Sequence, residues 1–159
     1  MKAIQIKKHG NVRVLNYSEI ENPICPPNKI KIKIRACSIN HLDIWVRSGI
    51  PGMNLPLPLI LGSDGSGIVV EVGSQVKSFD VNDEVIIQPG TYDKNCKMVK
   101  DGRENFSKSY GILGETENGV QAEYVVLNHE NIFQKPKHLS FIEAASMPLV
   151  FMTSYQMLI

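Results

Sequence analysis

The stretch LPLPLILGSDGSGIVVEVG, Leu55–Gly73, gathers Gly62, Gly65, Gly67 and Gly73 at its end, and its reading decides the fold. Glycine-rich loops cradle phosphate where a bare backbone must admit a ligand. A dinucleotide loop, however, runs from a strand into a helix whose first amides hold the pyrophosphate. Here the glycines are followed by Ile68, Val69, Val70 and Val72, a β-branched run that predicts a strand. The glycine spacing is GxxGxG, the reverse of the dinucleotide pattern. The stretch reads as a turn entering a strand.

Period-two alternation continues on both sides of it. In KIKIKIRA, Lys29–Ala36, Ile30, Ile32 and Ile34 share one face and the lysines the other, which predicts a half-exposed strand. Similar short runs occur at Ala3–Lys7, Val12–Tyr17, Ile68–Val72, Glu84–Ile87 and Ala122–Leu127, separated by Gly, Pro, Asn and Asp. Many short strands without long intervening helices predict a mainly β fold with short helices, an antiparallel, partly open barrel. One helix is expected after Asn40, an N-cap with Asp43 three residues on and Gly49 as the stop. Ser140 with Glu143 predicts a second helix start ahead of Ala144 and Ala145, broken at Pro148. LVFMTSYQMLI, Leu149–Ile159, lacks a polar face and a basic last turn. Such a helix expects packing on every side, so structure beyond Ile159 is expected to cover it.

Composition bounds the partners. The 159 residues are 43% apolar and 21% charged, ordinary for one globular domain. Lys plus Arg number 17 and Asp plus Glu 16, a net charge of +1, which gives no electrostatic reason for nucleic acid or an anionic membrane as partner. Cys25, Cys37 and Cys96 are far apart with no CxxC pair, which argues against a disulfide framework or a cysteine zinc site and fits a cytoplasmic setting. MKAIQIKKHG has no apolar core of a signal peptide, and no run is long enough to span a bilayer.

Taken together, SINHLDIWVRSG (Ser38–Gly49), LPLPLILGSDGSGIVVEVGSQV (Leu55–Val76), VNDEVII (Val81–Ile87), DGRENF, GVQAEYVV (Gly119–Val126) and EAASMPLVFMTSY (Glu143–Tyr155) resemble the medium-chain dehydrogenase/reductase superfamily, specifically its N-terminal GroES-like catalytic domain. The resemblance spans nearly the whole chain in the family's order. It implies a GroES-like domain over residues 1–148, with a lobe at 89–110, and the start of a connector helix over 149–159. The family's Rossmann domain, which carries the glycine loop for the cofactor, is absent from this sequence.

In zinc-dependent members a catalytic zinc is held at positions that match Asn40, Ser63 and Leu149. None is a strong zinc ligand, since the ion wants thiolate, imidazole or carboxylate. His41 and Asp64 lie beside the first two and leave open an atypical metal site. A structural zinc would fall at Tyr92, Asn95, Met98 and Phe106, where no thiolate remains and Cys96 is one residue out of register. No metal is therefore expected, and the lobe is expected to be held by its own contacts or to move.

Loss of a Lewis acid removes several kcal/mol of charge stabilisation from simple alcohol oxidation. A quinone or an α,β-unsaturated carbonyl spreads the incoming charge, and hydrogen bonds can suffice to steady it. The sequence resembles the zinc-free quinone oxidoreductase and enone reductase branch, in which Asn at position 40 and the N-x-x-D-x-x-x-R spacing to Asp43 and Arg47 are usual. The resemblance implies hydride transfer from NADPH, with Asn40, Asp43, Ser63 and Asp64 as candidate catalytic residues. Asn40, Arg47 and Thr153 are the candidate cofactor contacts, and the intact protein is expected to be a homodimer or homotetramer.

Structural alternatives stand beside these roles. Asn40 suits a helix cap as well as a pocket, and Asp43 suits a capping carboxylate or a partner of Arg47 better than a proton donor. Trp45 and Tyr155 suit the core better than a stacking platform. Two other readings of the whole are a zinc-type alcohol dehydrogenase relative with an atypical metal site and a non-catalytic GroES-like module. The 159 residues alone are expected to be inactive.

Overall fold

Residues 1–159 are described by a computed structural model, in which the strands are, in order, β1 (Lys2–Ile6), β2 (Asn16–Glu19), β3 (Ile30–Cys37), β4 (Leu59–Ile60), β5 (Gly65–Val72), β6 (Glu84–Ile87), β7 (Gly90–Thr91), β8 (Gly111–Ile112), β9 (Tyr124–Leu127) and β10 (Ile132–Gln134). The helices are α1 (His41–Ser48), α2 (Lys97–Lys100), α3 (Phe141–Ala145) and α4 (Pro148–Leu158). The main sheet runs β10-β6-β5-β3-β9, a second runs β2-β1-β4, and β7 pairs with β8. All of these pairings are antiparallel. Main-chain bonds from Ile4 N to Gln121 O (2.8 Å) and from Glu123 N to Lys2 O (3.0 Å) join the two larger sheets, giving the mainly β, partly open GroES-like architecture.

The alternation in β3 does what its pattern requires. Ile30 and Ile32 are fully buried, and with Val69, Val85, Ile87, Leu113, Val120 and the inward residues of β9 and β10 they make the main core. Lys33 and Arg35 point to solvent. A smaller core of Ile6, Val46, Leu55, Leu59 and Leu61 seats α1 on the second sheet through Val46. Burial of such side chains contributes roughly 1.5–3 kcal/mol each.

Several local expectations are corrected. The strand after the glycines begins at Gly65 and not at Ile68, because Gly65 and Gly67 are themselves paired, with Cys37 and Ile34. Val12–Tyr17 is not one strand. Asn11 accepts the amide of Arg13 at 3.0 Å and winds Val12–Val14 into a 3-10 turn, so the strand starts only at Asn16. Pro148 does not break a helix. It opens α4 at the first helical position, where its missing N–H and fixed φ cost nothing, while α3 has already ended at Ala145.

The start of α3 is the expected capping box: Ser140 N donates to Glu143 Oε2 at 2.8 Å and Glu143 N donates back to Ser140 Oγ at 3.3 Å. Ser140→Ala is expected to lower stability by about 1 kcal/mol in urea denaturation. An unchanged midpoint would mean that the buried Ala144 and Ala145 hold α3 without the cap.

Candidate functional site

The first turn of α1 builds the site. Asn40 caps it through the main chain, its carbonyl accepting the Asp43 amide at 3.1 Å. Asp43 returns the bond, Oδ2 accepting Asn40 N at 2.7 Å, while its Oδ1 accepts Gly62 N at 3.0 Å. Asp43 thus pins α1 to the glycine turn, where Gly62 takes a positive φ of 93°. It makes no ion pair with Arg47, whose Nη2 donates to Ser48 Oγ at 3.2 Å.

The Asn40 side chain is thereby free for another task. Its Nδ2 donates to Asp64 Oδ2 at 3.0 Å, an oxygen that also accepts Ser38 Oγ at 3.2 Å. Asp64 Oδ1 accepts the Leu149 amide at 2.9 Å. Leu149 follows Pro148 at the start of α4, where helix amides lack an internal acceptor. A fully buried carboxylate therefore binds three segments: the approach to α1, the start of β5 and the first turn of α4. Ser63, also fully buried, donates its hydroxyl to Leu113 O at 2.8 Å.

Burial raises the pKa of both carboxyls. For Asp43, bonds from the Asn40 and Gly62 amides oppose the rise and the nearby Asp64 charge adds to it. For Asp64, bonds from Asn40, Leu149 and Ser38 oppose it without cancelling it.

The structure sets the first turn of α1, with Asn40 and Asp43, against the glycine turn that carries Ser63 and Asp64 and leaves the remaining candidates elsewhere. Thr153, exposed on α4, lines a cavity of about 320 Å³ with Gln88, Tyr110 and Leu149 and with Glu104 and Asn105 of the lobe. Arg47 lines another cavity, of about 310 Å³, beside β1. The two share no residue. Trp45 and Tyr155 are not core residues: they are 55% and 68% exposed, and Trp45 meets the His41 ring edge-on at 4.8 Å. Ser38 and the Leu149 amide were missed by sequence reasoning. Only the proline ahead of Leu149 hinted at an orphan amide there.

The places that match zinc positions do not fit a metal. Zinc wants thiolate, imidazole or carboxylate, yet these places offer the Asn40 carboxamide bonded to Asp64, the Ser63 hydroxyl bonded to Leu113 O and the aliphatic side chain of Leu149. His41 lies on Trp45, and both oxygens of Asp64 are occupied. No three His, Cys, Asp or Glu side chains converge at any point of the chain. In the lobe, Phe106 is 69% exposed, and Ser107 Oγ donates to Cys96 Sγ at 3.2 Å, a contact within the lobe's own residues.

The alcohol dehydrogenase GroES-like domain family matches residues 26–137. The chain is 35% identical to 2-methylene-furan-3-one reductase of Solanum lycopersicum, over 98% of this chain and 36% of that protein. It superposes on a crystal structure of an NAD-dependent alcohol dehydrogenase with TM-score 0.94 and 43% identity, covering 99% of this chain and 46% of the other. A cobalt- and zinc-bound thermostable alcohol dehydrogenase from Pyrobaculum aerophilum gives TM-score 0.86 and 26% identity, over 100% and 49% of the two chains. The chain spans less than half the length of each of these proteins.

Proposed function

Because the chain belongs to the alcohol dehydrogenase GroES-like domain family of the medium-chain dehydrogenase/reductase superfamily, we propose that it shapes the acceptor side of an NADPH-dependent oxidoreductase that reduces a quinone or an α,β-unsaturated carbonyl without zinc. The observation that carries this reading is the donor set around Asp64. The residues at the metal-matching places are a carboxamide, a hydroxyl and an aliphatic side chain, and the first two donate hydrogen bonds to Asp64 and to Leu113 O, which supports a hydrogen-bonding task in place of coordination. The similar 2-methylene-furan-3-one reductase supports a conjugated acceptor.

NADPH, when bound, supplies the hydride. This chain's residues bind and orient. Asn40, held through one N–H by Asp64, keeps its second N–H to donate to a conjugated oxygen and steady its charge, while its carboxamide oxygen is left to accept from the nicotinamide amide. Thr153 offers a hydroxyl on the cavity wall beside Leu149. Asp43 and Ser63 hold the turn and do not transfer protons. In this proposal residues 1–148 form the catalytic unit, α4 leads toward the cofactor domain, and the intact protein works as a dimer or tetramer. No helix is long and apolar enough to cross a membrane.

Likeness to the cobalt- and zinc-bound alcohol dehydrogenase favours a second reading, a zinc-type enzyme, against which the donor set argues. An assay separates them. Protein expressed from its native gene is expected to oxidise NADPH with quinones and enones at rates that survive chelation. Alcohol oxidation abolished by chelator and restored by zinc would overturn the proposal.

A further inference from the structure

The cavity of Thr153 has α4 on one side and the lobe on the other, and a single charged residue lines it, Glu104. Its other polar lining residues, Gln88, Asn105, Tyr110, Thr153 and Gln156, are neutral. Glu104 opens the 3-10 turn Glu104–Phe106 of the lobe and is half-buried. Its carboxylate enters no ion pair. Of the cations near it in sequence, Arg103 pairs with Asp101 at 3.5 Å and Lys94 pairs with Glu130, and none of the lobe's lysines, nor its arginine, lines the cavity.

The charge is felt at the cavity wall. Burial raises the pKa of the Tyr110 hydroxyl, and the Glu104 charge adds to the rise. That hydroxyl is held close over Gly90, where a Cβ would stand 3.0 Å from Tyr110 Oη and 2.8 Å from Gln88 Nε2. The Gln88 carboxamide is anchored there, its Oε1 accepting Asn131 Nδ2 at 3.1 Å. In a partly desolvated cavity one uncompensated charge repels its like and attracts its opposite more strongly than in open water. We propose that Glu104 makes this cavity select neutral or cationic acceptors and reject those that carry a carboxylate, sulfonate or phosphate against the lobe. Glu104 is a specificity residue with no part in the hydride step. The proposal rests on the reading of this cavity as the acceptor site and adds to it the charge that the acceptor carries.

The test uses protein expressed from its native gene, with NADPH and three forms of one enone, 4-phenyl-3-buten-2-one carrying a para carboxylate, hydroxymethyl or ammoniomethyl group. Relative to the hydroxymethyl compound, kcat/KM is expected to fall about tenfold for the carboxylate and to rise severalfold for the ammonium. The spread is expected to lie in KM and to narrow at high salt. Glu104→Gln is expected to collapse it, and Glu104→Lys to reverse its order. Equal kcat/KM for the three compounds, a preference for the carboxylate, or a spread that survives both high salt and Glu104→Gln would each overturn the proposal. If none of the three is turned over, the reductase reading fails, and the dissociation constants of the same compounds decide the charge selection: the same order supports it and equal values overturn it. The wild-type series at low and high salt decides this even if a variant fails to fold.

Discussion

Gly67→Ala is expected to lower the stability of the chain by about 3 kcal/mol, while Gly65→Ala, two residues earlier in the same strand, stays within about 1 kcal/mol of wild type. Both glycines lie in β5 and neither has a positive φ, so conformational strain does not distinguish them. Space does. A Cβ on Gly67 would stand 2.3 Å from Lys33 O and 2.7 Å from Ile32 Cγ2. Lys33 O belongs to the paired strand β3, where the register shifts between Ile34 and Ala36, and it cannot withdraw without breaking the ladder. A Cβ on Gly65 would meet side-chain atoms of Val120 and Ile87 at 3.2–3.3 Å, which can give by a few tenths of an ångström. Alanine also restricts the unfolded chain, which favours folding by roughly 0.4–1 kcal/mol wherever it fits. Urea titration of both variants checks this; equal losses would mean that the glycines do not serve the β3–β5 contact.

That pair shows what kind of information the sequence held. The glycine run was legible as a turn into a strand, since β-branched residues follow it. Its close approaches to the protein's own chain, Gly67 to β3 and Gly62 to Gln121, were not legible, because strand spacing is a tertiary quantity. Elements with strong local signals came through: β6 by its boundaries, β3 by alternation, α1 and α3 by their caps. The two-residue strands Leu59–Ile60, Gly90–Thr91 and Gly111–Ile112 did not, since such short pieces become strands only through their partners. Val12 and Leu15 looked like strand residues, yet Asn11 turns the chain locally. The side chains of Asn40 and Asp64 were legible as candidates through the family resemblance that their segments carry. The amide that makes Asp64 a junction lies 85 residues away, and no periodicity reports it.

Asp64 gives the second large effect, and its pH dependence separates charge from geometry. Asp64→Ala leaves Asn40 Nδ2, Leu149 N and Ser38 Oγ without their common acceptor. At roughly 1–3 kcal/mol for each buried donor stranded, partly offset by removing a buried charge and by water reaching the half-buried Asn40, the expected loss is about 3 kcal/mol. Asp64→Asn is milder, about 1 kcal/mol, because one oxygen can still accept Leu149 N and the Asn40 amide can turn to accept from the new one. The sign of the pH term follows from burial. Asp64 has its folded pKa raised above the ordinary 3.8, so between the unfolded and folded values the native state holds more protons. Its favourable contribution is complete below the unfolded pKa and is lost as pH rises through the folded one. Asp43, raised in the same direction partly by the Asp64 charge, contributes a smaller slope in Asp64→Asn, which changes the difference in the same sense. The stability difference between wild type and Asp64→Asn should therefore be largest at the acid end, shrink as pH climbs through the carboxylate range, and then level off. Urea midpoints of the two proteins across that range read it directly. A difference that grows with pH would show that the three hydrogen bonds hold the carboxylate more strongly than burial opposes it, and Asp64 would then be an anion built into the junction.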